Sequence, residues 1–126
     1  MPLTTQITKG DAGGYKVKLT GSLDSDTSGE FDRRMIEVWA DPKARTIRLD
    51  LSDLTFISSL GLGSLAKVKK GIQDRGGAMV TVGAQPQIAK VFSVVKMLPK
   101  ETIFVSHKEA DEYLAAIQKN VLEGGA

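Results

Sequence analysis

Apolar residues recur along this chain at two alternating periods. Ile47, Leu49 and Leu51 stand two apart, as the buried side of a strand requires. From Leu62 the spacing changes to Leu62, Leu65, Val68 and Ile72, which is the stripe of a helix. The change of period falls on Ser58 and Ser59, so a buried strand is predicted to empty into a short loop that opens a helix. Upstream, Thr4, Gln6 and Thr8 alternate weakly and Tyr15 to Leu19 alternate well, with Asp11-Ala12-Gly13-Gly14 between them as turn chemistry. An opening hairpin is expected there. Phe31, Met35, Val38 and Trp39 predict a first amphipathic helix that stops at Asp41-Pro42, capped by Thr27, Ser28 or one of the aspartates before them. After Gly76-Gly77, Ala78 to Val82 reads as a central strand. Ile88, Val91, Phe92 and Val95 then form a helical face, Ile103 to Val105 a brief strand, and Ala110, Leu114, Ile117 and Val121 a last amphipathic helix, with the tail from Glu123 expected to fray. Strands alternating with helices after a hairpin imply an α/β fold: a mixed β-sheet with a parallel centre and helices packed on it, because parallel neighbours need crossover connections.

Composition narrows the function classes. With 126 residues the chain is expected to be a single domain, 1–126, able to bury one core without disulfide or metal support. It has no cysteine, so thiolate metal sites and disulfides are excluded, in keeping with a reducing cytosol. The formal net charge is +2 with acids and bases interspersed, which gives no electrostatic case for nucleic acid or for an anionic membrane surface. Lys67, Lys69 and Lys70 cluster, and the plain reading is a solvated helix face. Met1 to Gln6 has neither a basic region nor an apolar run, and no stretch approaches the roughly 18 apolar residues that span a membrane. A soluble, cytoplasmic protein without direct membrane insertion is expected.

Catalytic patterns are weak. The one histidine, His107, lies beside Ser106, a candidate cap of the last helix, and has no nucleophile or metal partner in the pattern. Gly61-Leu62-Gly63 lacks the spacing and lysine of a phosphate loop and the third glycine of a dinucleotide fingerprint. Neither Ser58 nor Ser59 has a glycine two residues before it, so neither is a hydrolase nucleophile elbow. Asp24, Asp26, Asp50 and Asp53 read as turn acids, caps or solvated charges. No metal site, cofactor or enzymatic activity is expected. Ser59 can be a plain helix cap or a phosphoacceptor, since a helix start favours both a capping hydroxyl and an anion. Leu60 can pack at the helix start or stand in an interface, and Gly61 and Gly63 point to close backbone approach by a neighbouring strand or a partner.

The run Phe56-Ile57-Ser58-Ser59-Leu60-Gly61-Leu62-Gly63 resembles the signature loop of the STAS domain, in which a strand ends in Asp-Ser-Ser/Thr-Gly-Leu-Gly. Gly21-Ser22-Leu23-Asp24 is similar to the Gly-x-Leu-Asp that follows the family's second strand, and Ile88 to Phe92 through Ile103-Phe104 looks like its third helix and last strand. The resemblance implies the STAS fold, with about four helices on the sheet. It also implies the role of an anti-sigma-factor antagonist. That is a non-enzymatic module binding a serine kinase/anti-sigma factor of the histidine-kinase-like ATPase fold, its complex broken by phosphorylation and restored by a PP2C-type phosphatase. Partner-binding positions carried over are Asp24, Ile57, Ser58, Ser59, Leu60, Gly61, Leu62 and Gly63. Ser58 falls on the family's aspartate, and Leu60 falls on the residue the kinase phosphorylates. Leu60 cannot carry phosphate, so the phosphoacceptor candidates become Ser59 and Ser58. The alternative is a constitutive STAS scaffold subunit of a larger complex, with Leu60 as a fixed part of its binding patch. A small-ligand or nucleotide binder is a third possibility.

Overall fold

The computed structural model describes residues 2–95, 103, 104, 108–110 and 112. β1 (Leu3–Lys9) and β2 (Gly14–Leu23) form the predicted hairpin, antiparallel and in register from Leu3 opposite Gly21 to Lys9 opposite Tyr15. Its turn is closed by Gly14 N donating to the Asp11 carbonyl at 3.0 Å, with Ala12 and Gly13 both at positive φ, 55° and 77°. Two positive φ values give the turn a twist that matches the twist of the flanking strands. Gly13 is also required by crowding, because a Cβ there would overlap the Lys43 carbonyl. The hairpin is thereby fastened to the chain entering β3: the Gly13 carbonyl accepts from the amides of Arg45 and Thr46 at 2.9 and 3.2 Å.

β3 (Thr46–Ile57) runs parallel to β2 on one side and to β4 (Ala78–Val82) on the other. Its first half keeps the predicted alternation, with Ile47, Leu49 and Leu51 wholly buried. Beyond Leu51 the buried residues are Leu54 and Ile57, three apart. The cause is a pair of irregularities against β2: Lys18 to Thr20 spans Asp50 to Asp53, and Gly21 to Ser22 spans Leu54 to Phe56. Each gives β3 one extra residue and resets which side faces the core. β5 (Ile103–Phe104) adds to β4 in parallel, and among the described residues the sheet has five strands in the order β1-β2-β3-β4-β5.

The first predicted helix is divided into α1 (Ser28–Arg34) and α2 (Ile36–Trp39). At Met35 the bonding tightens, so Val38 N donates three residues back to the Met35 carbonyl. The tighter turn keeps Val38 in the core and sets the Trp39 ring against Gly71 of α3 (Ser59–Asp74). With α4 (Pro86–Val95) these helices supply Phe31, Met35, Val38, Leu65, Val68, Ile72, Ile88 and Phe92 to the core under one sheet face. The opposite face carries exposed Thr4, Gln6, Thr8 and Lys16 and, on β4, Val80 and Val82 buried with Ala110. Residues 108–110 are helical, while Leu114, Ile117, Val121 and the tail lie outside the described residues. Among the described residues no helix is long and apolar enough to cross a membrane.

Asp50 departs from the expectation of a turn acid. It lies within β3 on the polar sheet face and is buried, accepting from Ser52 N and Oγ at 3.1 and 2.6 Å with Lys16 Nζ at 4.0 Å. Asp53 fits the expectation of a solvated charge, exposed and 3.3 Å from Lys18.

Candidate functional site

The site grows from the end of β3. Ser58 has extended backbone (φ −95°, ψ 175°), and its Oγ accepts from Gly61 N at 3.2 Å. Ser58 is therefore the N-cap of α3, and Ser59 is the first helical residue, not the cap. The capping residue must be non-helical so that its oxygen can turn back on the first free amides, and the helix starts one residue earlier than a Ser59 cap would place it. The Ser58 amide donates to the Leu23 carbonyl at 2.9 Å, and Leu62 N donates to the Ser58 carbonyl at 2.8 Å. Gly61 lies so close to that Leu23 carbonyl that a Cβ would overlap it. Close approach by a neighbouring strand thus explains Gly61. Gly63 has nothing within 4 Å of a built Cβ, so no contact among the described residues requires it.

Pairing of Leu23 with Ile57 brings the Gly21-to-Asp24 segment beside this loop. Asp24 and Thr27 bond reciprocally: Asp24 Oδ1 accepts from Thr27 N at 3.1 Å, and Thr27 Oγ1 accepts from Asp24 N at 3.0 Å. Asp24 Oδ1 also accepts from Asp26 N at 2.9 Å, and the Thr27 hydroxyl donates to the Ser22 carbonyl at 2.8 Å. Thr27 occupies the N-cap position of α1 without making a side-chain cap bond. The half-buried Asp24 carboxylate is thus committed to its own turn, which holds the ground beside Ser58.

Of the residues carried over as partner contacts, the two motifs converge but do not all face outward. Ile57 and Gly61 are buried, Ser58 and Leu62 are half-buried, and Ser59, Leu60 and Gly63 are exposed. Leu60 is 59% exposed on the first turn of α3. Phe56, at 52% exposure, joins the exposed apolar residues and is a position the sequence reading missed; it falls off the Leu51, Leu54, Ile57 spacing, which is the signal that could have found it. The lysines of α3 form no bare basic patch, since Lys67 is 3.3 Å from Asp32 and Lys70 is 3.6 Å from Asp74.

The far end of α3 is chemically different. Arg75 donates through Nη1 to the Asp41 carbonyl at 2.6 Å and through Nη2 to the Trp39 carbonyl, with its guanidinium 5.4 Å from the Trp39 ring. Tyr15 OH donates to Asp41 Oδ2 at 2.7 Å, and Lys9 Nζ lies 3.2 Å from the same oxygen. The Tyr15 hydroxyl, then the Lys43 amide, hold the Asp41 carboxyl down at about 2, while the bond to Asp41 raises the Tyr15 phenol. No group of three or more acidic or histidine side chains that could hold a metal occurs among the described residues, and Ser106 and His107 lie outside them.

The model of the STAS domain family matches residues 4–110. An anti-sigma-B factor antagonist of Listeria monocytogenes is 21% identical over 94 residues, covering 75% of this chain and 82% of that protein. The crystal structure of an anti-sigma factor antagonist from Mycobacterium paratuberculosis superposes with a TM-score of 0.76 at 22% identity, covering 90% of this chain and 95% of the other. The murine Solute Carrier 26 family member A9 anion transporter superposes with a TM-score of 0.72 at 21% identity, covering 86% of this chain but 18% of the transporter. The same architecture therefore occurs in small regulators and as one part of a much larger membrane protein. With a family match over most of its length and the two signature segments paired side by side, the chain belongs to the STAS domain family.

Proposed function

We propose that this chain is a non-enzymatic regulatory binding module of the anti-sigma-factor antagonist type, docking a serine kinase/anti-sigma factor of the histidine-kinase-like ATPase fold through the start of α3. The observation that carries the reading is Leu60, an apolar side chain 59% exposed beside the exposed Ser59, on a turn fixed by the Ser58 cap and the Gly61 contact. A rigid loop presenting an apolar group loses little conformational freedom on binding, which favours affinity. Ser59 is the better-placed phosphoacceptor of the two candidates, because Ser58 Oγ is engaged in the cap. A phosphate there adds roughly −1.5 to −2 charges to the docking surface and would repel a partner shaped for a neutral hydroxyl. A PP2C-type phosphatase would reverse the change.

A constitutive STAS scaffold subunit is the second reading, and the same Leu60 favours it, since an alkyl side chain is a permanent contact that no kinase can switch. The affinity of the kinase/anti-sigma factor for the wild type and for Ser59→Asp, measured alongside the phosphopeptides of the protein from its own cells, separates the two. Weaker binding of Ser59→Asp and a phosphatase-sensitive phosphate on Ser59 support the switch. Equal affinity with no phosphate overturns the switch and leaves the scaffold.

A further inference from the structure

Among the described residues β1 is the terminal strand of the sheet, and its register determines which of its backbone groups no other described strand pairs. At one end of the hairpin Ser22 N donates to the Pro2 carbonyl, and at the other Gly10 N donates to the Gly14 carbonyl. Both pairs sum to the same register as the strand itself, so Thr4, Gln6 and Thr8 exchange hydrogen bonds with β2. Leu3, Thr5 and Ile7 therefore turn their amides and carbonyls away from β2, along the open edge. Such an edge is a template for another strand, and proteins usually blunt it with charge, proline or a bulge. From Leu3 to Thr8 this strand carries none of these: Leu-Thr-Thr-Gln-Ile-Thr is uncharged and regular in register.

One group from another element does stand at that edge. Arg34, at the end of α1, donates from Nη1 to the Thr5 carbonyl at 2.7 Å, in the middle of the strand, while Nη2 lies 3.9 Å from Glu37. We infer that the β1 edge is a latent self-association surface, complementary to β1 of a second copy of this chain, and that Arg34 holds it shut. Antiparallel pairing of β1 with its own copy would set Thr, Gln and Thr against one another with no like charge between Leu3 and Thr8. The guanidinium occupies the central acceptor that a second strand must use, and it places a full positive charge where the two copies would meet. The inference is independent of the α3 docking surface and of its partner.

Arg34→Met keeps the aliphatic stem and removes the donor and the charge. Sedimentation of the wild-type protein over a concentration series should show a monomer, and Arg34→Met should shift toward a dimer with rising concentration. Amide hydrogen exchange locates the contact. In the wild type Thr5 and Ile7 should exchange fast and Thr4 and Gln6 slowly, and in Arg34→Met the Thr5 and Ile7 amides should become protected as the dimer forms. Adding Gln6→Lys to Arg34→Met sets like charges across the pair and should return the monomer, while Arg34→Lys alone should stay largely monomeric. A monomeric Arg34→Met with wild-type exchange overturns the inference. So does a dimer in which Thr5 and Ile7 remain unprotected, a wild-type protein already paired through β1, or an Arg34→Met chain whose Thr4 and Gln6 amides also lose protection, since Arg34 would then be holding β1 to the fold.

Discussion

The two ends of α3 solve opposite problems. At the C-terminal end Trp39 lies on Gly71, Arg75 reaches the carbonyls of residues 39 and 41, and Tyr15 bonds Asp41, so these large side chains are turned onto neighbours. At the N-terminal end the backbone is just as firmly held, by the Ser58 cap and the Leu23 carbonyl, yet Leu60 and Ser59 are left to solvent. A single exposed leucine is ordinary on a protein surface. Its interest here comes from the rigidity beneath it and from the contrast with the other end, where comparable rigidity is used entirely for internal contacts. On the proposed reading, this difference makes the N-terminal end the docking surface.

The strongest way to break that end is Gly61→Ala. The new methyl would meet the Leu23 carbonyl, a backbone group that cannot swing aside, and should cost about 3 kcal/mol, read as a lower denaturant midpoint. Ser58→Ala removes only the cap and should cost about 1 kcal/mol by the same measurement, with the fold retained. Gly63→Ala should go the other way, stabilising by up to about 1 kcal/mol, because its methyl meets nothing and alanine is the better helix former. Opposite signs for two glycines two residues apart would separate internal from external demands on this loop.

At the other end the test is one of pH. Asp41 ionises at about 2 in the fold against 3.8 for an ordinary aspartate. A depressed carboxyl contributes stability that is present above the unfolded value and lost as pH falls toward the folded one. Melting temperature should therefore fall between about pH 4 and 2, and Asp41→Asn should flatten part of that limb while leaving the neutral-pH partner affinity unchanged.

Much of this was legible in the chain. The hairpin, the parallel centre and the buried face of α3 follow from period-two and helical spacing, and the pairing of Leu23 with Ile57 joins two segments whose resemblance to one family was already readable. The second half of β3 was not, because two irregularities against β2 change the phase of alternation without leaving a glycine or proline within β3 to announce them. The cap was displaced by one residue because two adjacent serines offer the same chemistry, and only the backbone angle at Ser58 decides between them. The contacts of Arg34 with Thr5 and of Tyr15 with Asp41 span 29 and 26 residues and have no local pattern at all. Leu60 could be placed at the helix start from its position, but its exposure depends on what the sheet and α1 leave uncovered above the first turn.

On the proposed docking, a partner engages the Leu60 end of α3 and not the Asp41 end. The direct measurement is calorimetric titration of the serine kinase/anti-sigma factor from the same cells against wild type, Leu60→Ala and Lys43→Ala, with melting curves for each. Both side chains are exposed, so neither change should move stability by more than about 0.5 kcal/mol. Leu60→Ala should lose about tenfold or more in affinity, as for a central apolar contact, and Lys43→Ala none. Full affinity in Leu60→Ala, or a loss confined to Lys43→Ala, would contradict it.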